Sequence, residues 1–255
     1  MPDGNFIYKS QSITRDNLSI YLKDLGKEFR KLNGTKMQAE IILIGGAAVL
    51  LNYNFRNLTN DVDAIINASS VMKEAINRVG DMHGLPNGWL NTDFKRTQSY
   101  SDKLIEVPVF YKTFSNILTV RTVSSEYLLA MKLKSGRQYK NDLSDIVGIL
   151  WEQQQNNKPL TKESITNAFN RLYGEDAEMS EASRKFLDVL FEDNDYEALY
   201  KKVHDNEAEA KALLIEFERN YPNIVKSENI NDIIDHMKQK ESAIFVKEDF
   251  LNKIT

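Results

Sequence analysis

The feature that most constrains this chain is the stretch IILIGGAAVLLNYNFRNLTNDVDAII, residues 41 to 66. An apolar run breaks at Gly45-Gly46, continues through a short helical pattern, and gives way to a second apolar run that begins Asp61-Val62-Asp63. Side chains alternate across a pleated strand, so Asp61 and Asp63 share one face. Desolvating two neighbouring carboxylates is costly, and one of them must take up a proton unless a cation lies between them. Hard oxygen ligands suit Mg²⁺ or Mn²⁺, and Mg²⁺ usually accepts one or two carboxylates plus substrate phosphates. The glycine pair supplies the complement, because glycines between strand and helix let backbone N–H groups approach an anion at the positive end of the helix. A glycine pair alone is more often a turn. Here it precedes an Asp-x-Asp that leads straight into Ala64-Ile65-Ile66, which sets both at the mouth of one core strand.

Composition removes several classes of function. The 255 residues are 42% hydrophobic with 5 Pro and 11 Gly, the profile of a folded protein of one large or two ordinary domains. With no cysteine, there are no disulfides, thiolate metal sites or cysteine nucleophiles. His83, His204 and His236 are isolated, so a zinc enzyme is not expected. The segment MPDGNFIYKS lacks the apolar core of a signal peptide and no run reaches membrane-span length, so the expectation is a cytoplasmic protein with no membrane partner. A net charge of −4 argues against a broad nucleic-acid surface, although it leaves room for a local basic patch.

In chain order, Leu18, Leu22, Leu25, Phe29 and Leu32 mark one apolar stripe of a helix that Gly34 ends. A strand over Ala39 to Ile44, a helix over Gly45 to Leu51 and a strand over Asp61 to Ile66 follow, and Ser69-Ser70 offer caps for the next helix. From Gly80 to Asp102 the pattern fails, and the segment reads as a long loop over a site, with Trp89 a core or lid contact. Leu104 to Tyr111 reads as a strand carrying Glu106, with Pro108 requiring an edge position or a bulge. After a strand over Ile117 to Val123, two helices span about 125–136 and 140–154. Lys132, Lys134, Arg137 and Lys140 then read as a charged helix face, with Asp142 and Asp145 one turn apart on another. The polar segment Gln153 to Pro159 marks a boundary, so the expected division is 1–155 and 156–255, with helices alone in the second part. The fold class is α+β.

These residues resemble the nucleotidyltransferase superfamily, the fold of DNA polymerase beta. The resemblance rests on Gly45-Gly46-Ala47, Arg56, Thr59 and Asp61-Val62-Asp63, with 14 residues between Gly46 and Asp61 as in the bacterial branch of minimal nucleotidyltransferases and abortive-infection toxins. Trp89-Leu90-Asn91, the segment Leu129 to Arg137 and Asp142 to Ile146 are similar to that branch too. A small mixed sheet flanked by helices is the fold this implies. The implied activity moves a nucleoside monophosphate from a nucleoside triphosphate to an acceptor, a tRNA end or a protein, within a toxin–antitoxin or abortive-infection system that supplies a cognate antitoxin. Asp61, Asp63 and Glu106 would be catalytic metal ligands, with Glu106 the third acid or general base and Asp145 the alternative for that place. Gly45, Gly46, Arg56, Thr59 and Lys132 would bind nucleotide, and Asp145 and Arg137 would support them from behind. The sequence departs from the superfamily in Gly-Gly for Gly-Ser and in Glu106 for the commoner Asp. Loss of one ligand would leave the other reading, a nucleotidyltransferase-like binding module without catalysis.

Overall fold

Strand β1 (Ala39–Leu43) organises the chain because both its faces are buried: Ile41 and Leu43 enter one apolar cluster, while Ile42, with Ile44 just beyond, enters another. A strand buried on both sides belongs in the middle of a sheet. In the computed structural model, which describes residues 12–239 except 36, 138, 193, 194, 227 and 228, β1 lies third among five strands. Antiparallel β2 (Val62–Asn67) lies on one side and parallel β5 (Leu118–Val123) on the other. The edges are β3 (Leu90–Asn91), parallel to β2, and β4 (Pro108–Phe114), antiparallel to β5. The amino-terminal segment read for a leader lies outside the described residues.

On one face of the sheet, α1 (Arg15–Asn33) buries Leu18, Leu22, Leu25 and Phe29 beside α3 (Met72–His83). Thr14 caps α1 through a reciprocal pair of hydrogen bonds with Asn17. Ser69, expected to cap α3, instead donates its hydroxyl hydrogen to Asn33 Oδ1 at 2.8 Å, and the position before α3 is held by Val71. The opposite face is covered by α4 (Ser125–Ser135) and α5 (Asp142–Gln155).

Ile42, Ile146 and Leu150 belong to the same apolar cluster as Phe169 of α6 (Lys162–Tyr173), Leu187 and Leu190 of α7 (Glu181–Glu192), and Val203 of α8 (Tyr196–Asn220). Residues on both sides of the 155/156 division therefore share one core. A further helix over 230–239 sets Ile230 and Ile234 against Ala210 of α8. Among the described residues no helix is long and apolar enough to cross a membrane.

Two expectations are corrected. The segment 80–102 is not one long loop: it begins in the last turn of α3 and holds β3 and the 3-10 turn Asp93–Arg96, while Trp89 is the core contact of the two readings offered for it, its indole N–H donating to the Ile76 carbonyl at 3.0 Å. Glu106 is not on a strand, because Asp102–Glu106 forms a second 3-10 turn that buries Leu104 and leaves Ile105 and Glu106 exposed. Pro108, which lacks the N–H that a ladder needs, opens the edge strand β4, and that strand bulges between Phe110 and Lys112.

Candidate functional site

Register alone brings the glycines to the carboxylates. Leu43 pairs with Ala64, and the Ile44 N–H donates to the Asp63 carbonyl at 3.1 Å, so the next residues along β1 lie beside Asp63. Gly45 turns the chain with φ at +55°, a conformation that glycine adopts without steric cost, and a Cβ there would lie 3.6 Å from Asp63 Oδ2. Gly46 is needed for space: a Cβ would lie 2.8 Å from both Arg56 Nη2 and Thr59 Oγ1. Helix α2 (Gly45–Asn52) starts here with no side-chain cap, which leaves its first N–H groups facing the cleft mouth as anion donors.

Val62, fully buried, fixes the opposite face of β2 in the core, which turns Asp61 and Asp63 outward together. Burial, and then the neighbouring Asp61, push the carboxyl of Asp63 up to about 6. Lys140 and Arg137 partly oppose that rise, and Asp93 adds to it. No cation forms an ion pair with Asp61 or Asp63 among the described residues. Asp93 comes to this place because β3 runs parallel to β2 with Asn91 opposite Asp63, and the chain then turns on an Asn91 side chain that accepts the Asp93 N–H at 2.9 Å. All three carboxylates line one cleft of about 730 Å³, which runs from the glycines past α4 and Arg137 to the far half of α8. Among the described residues no three acidic or histidine side chains are close enough together to form a complete metal site. Two carboxylates with substrate phosphates are nevertheless a sufficient oxygen donor set for Mg²⁺, and a proton-holding pair of this kind is what a cation would relieve.

Lys132, Arg137, Arg56, Asp142 and Asp145, also singled out in the sequence, are committed to one another. Lys132 is buried, with its Nζ 2.9 Å from Asp142 Oδ1 and 2.6 Å from Asp145 Oδ2. Arg137 holds Asp142 through Nε at 2.8 Å, and Arg56 is ion-paired with Asp145. Burial alone would raise the Asp142 carboxyl, but Lys132 and Arg137 outweigh it and hold it well below the usual carboxylate range. The same pairs keep Lys132 charged against its burial. Lys132 and Arg137 are therefore not part of a solvated face, and the charge of Lys132, which lines the cleft, is already balanced by two carboxylates. Thr59, also buried, donates its hydroxyl hydrogen to the Asp61 carbonyl at 3.1 Å and packs under Gly46, so with Arg56 it shapes the glycine turn. Glu106 is absent from the cleft lining. The strand it precedes is at the far edge of the sheet, with β1 and β5 between it and β2.

Three contributors were not found by sequence reasoning. Asp93 follows a two-residue strand too short to show a period, and Lys140 looked like one member of a surface charge run. The third is the wall made by α8, which Glu207 ties down by accepting the Leu143 N–H at 2.8 Å, the Ser144 N–H at 3.3 Å and the Ser144 hydroxyl at the start of α5. Burial pushes Glu207 up to about 7, against the pull of those hydrogen bonds.

A family model described as "Nucleotidyltransferase of unknown function (DUF6036)" matches residues 21–203. No curated protein and no solved structure matches the chain.

Proposed function

The chain belongs to the family of nucleotidyltransferases of unknown function (DUF6036), and on that footing we propose that it transfers a nucleoside monophosphate from a nucleoside triphosphate to an acceptor hydroxyl with the help of Mg²⁺ or Mn²⁺. The observation that carries this reading is Asp63, half-buried beside Asp61 and the uncapped start of α2, with its carboxyl pushed up to about 6. Asp61 and Asp63 would hold the cation, and Asp93, on the same cleft, would complete the acidic set that the sequence assigned to Glu106. When bound, the metal neutralises charge on the triphosphate and the developing charge at the α-phosphorus.

The remaining steps belong to side chains and amides of the chain. The first N–H groups of α2 donate to the β- and γ-phosphate oxygens, with Lys140 and Arg137 facing the same negative charge. The acceptor oxygen bonds to the α-phosphorus as the bond to the bridging oxygen breaks, and pyrophosphate leaves. A cleft carboxylate takes the hydroxyl proton, and Asp93 is the one of the three that is not needed to hold the cation. As acceptor we favour a tRNA end, in keeping with Lys140 and Lys211 on the rim of an otherwise acidic chain, and as context a toxin restrained by a cognate antitoxin. A second reading, a nucleotide-binding module without catalysis, is favoured by the lack of a complete three-ligand metal cluster among the described residues.

Incubation with each of four α-labelled nucleoside triphosphates, Mg²⁺, and total tRNA or total protein separates the two. Transfer of label that disappears in Asp61→Asn/Asp63→Asn, by about 100-fold or more, supports catalysis. Mg²⁺-dependent nucleotide binding without transfer to either acceptor pool supports the binding module.

A further inference from the structure

The half of α8 that closes the cleft lies beyond the matched residues 21–203 and, Lys211 apart, has no part in the reading above. Lys211, Leu214, Ile215 and Glu218 all line the cleft, and their spacing of i, i+3, i+4 and i+7 makes them one stripe of the helix. Behind the stripe, Leu214, Val225 and Tyr139 pack on the small cluster of Ala210, Ile230 and Ile234, so the wall is held in place by its own core. Ile215 stays 54% exposed on the cleft side. Amid this apolar surface sits a polar group with an unused acceptor. Glu218 Oε1 accepts the Asn223 N–H at 2.8 Å, which fixes the side chain, while Oε2 is buried with no hydrogen-bond partner among the described residues.

A buried acceptor without a donor is destabilising, and small-molecule sites combine apolar walls with a few such groups. We infer that this end of the cleft is the base subsite for the nucleotide, and that Glu218 selects bases carrying an exocyclic amino group. The inference rests on the nucleotidyl-transfer reading of the same cleft. An ionised carboxylate only accepts hydrogen bonds. Adenine, cytosine and guanine each offer an amino hydrogen to it. Uracil presents a carbonyl oxygen where adenine and cytosine carry nitrogen, and two acceptors facing each other in a buried site repel. Leu214, Ile215 and Val225 supply the apolar contact that every base tolerates, so the discrimination lies in Oε2.

The test measures dissociation constants of the full chain for non-hydrolysable analogues of ATP, CTP, GTP and UTP, and for inorganic tripolyphosphate, all with Mg²⁺. UTP should bind about tenfold or more weakly than the best amino-bearing nucleotide, the scale of one hydrogen bond to a charged group. In Glu218→Gln the amide oxygen keeps the Asn223 N–H and the amide nitrogen takes the place of Oε2 as a donor. The ranking should then flatten or reverse toward UTP, while tripolyphosphate affinity stays the same and reports intact folding. Equal binding of all four nucleotides by the native chain, or an unchanged ranking in the variant, overturns the base subsite alone. If neither nucleotides nor tripolyphosphate bind, the transfer reading of the cleft falls with it.

Discussion

The molecule contains two close pairs of aspartates that meet opposite fates. Asp142 and Asp145 are buried at 2% exposure and surrounded by Lys132, Arg137 and Arg56, so burial is outweighed and Asp142 stays ionised. Asp61 and Asp63 open the strand β2 with no ion-pair partner among the described residues, and Asp63 holds its proton to about pH 6. Fixed cations answer the first pair within the fold. The second pair is left to be answered from outside, which separates acids that build a site from acids that use it.

The largest effect should come from the pair that looks most inert. Asp142→Ala leaves Lys132 and Arg137 facing one another beside Asp145, and removing one partner of a buried ion pair typically costs about 3–5 kcal/mol. Urea unfolding should show that loss. Asp61→Asn/Asp63→Asn should leave stability unchanged or improved without metal, because it removes two crowded carboxylates. Similar losses from both variants would break the distinction between the pairs.

That distinction was half legible in the sequence. Asp61-Val62-Asp63 announces itself because period-two alternation places a fully buried valine between two acids, and the Gly45-Gly46 turn precedes it at the right place. The pair on α5 carries no such mark: helical spacing of Lys132, Asp142 and Asp145 is the same whether the charges are solvated or packed together. Burial of Lys132 depends on α4 and α5 meeting, and Glu207, 63 residues beyond Ser144, helps set where α8 closes the cleft. Glu106 misled for a local reason. Leu104, Ile105 and Val107 around it resemble a strand, yet a 3-10 turn buries Leu104 and leaves Ile105 59% exposed. The helices of the second half, such as α6 with its Thr161 cap and Gly174 stop, were readable as elements. Their sharing of a core with β1 was not, because that requires contacts between segments more than 100 residues apart.

A sharper version of the comparison is its pH dependence. Asp63 has a native value of about 6 against an ordinary 3.8, so the metal-free native state binds a proton more tightly than the unfolded chain. This stabilisation is complete below pH 3.8 and is lost as the pH rises through 6. Mg²⁺ competes with that proton, and its affinity should be flat above pH 6 and fall by about tenfold per unit below it. Asp63→Asn should abolish both trends. Calorimetric titration of Mg²⁺ with a bound triphosphate analogue between pH 5 and pH 8 measures the slope. A flat profile through pH 6 would mean that Asp63 is not a ligand.

The smallest expected effect tests which carboxylate joins Asp61 and Asp63. Asp93 lines the same cleft, contributes to the raised proton affinity of Asp63, and is carried there by the parallel pairing of β3 with β2. Glu106 is exposed beyond the far side of the sheet, where a charge is solvated and does little. Asp93→Asn should weaken Mg²⁺-dependent nucleotide binding by about tenfold, the lower end for loss of a supporting metal contact. Glu106→Gln should change binding, transfer and stability by less than about twofold. The two variants measured side by side for binding and label transfer decide the assignment. A large loss from Glu106→Gln alongside a silent Asp93→Asn would require the turn at 102–106 to reach the cleft in the working enzyme, and would return the third acid to Glu106.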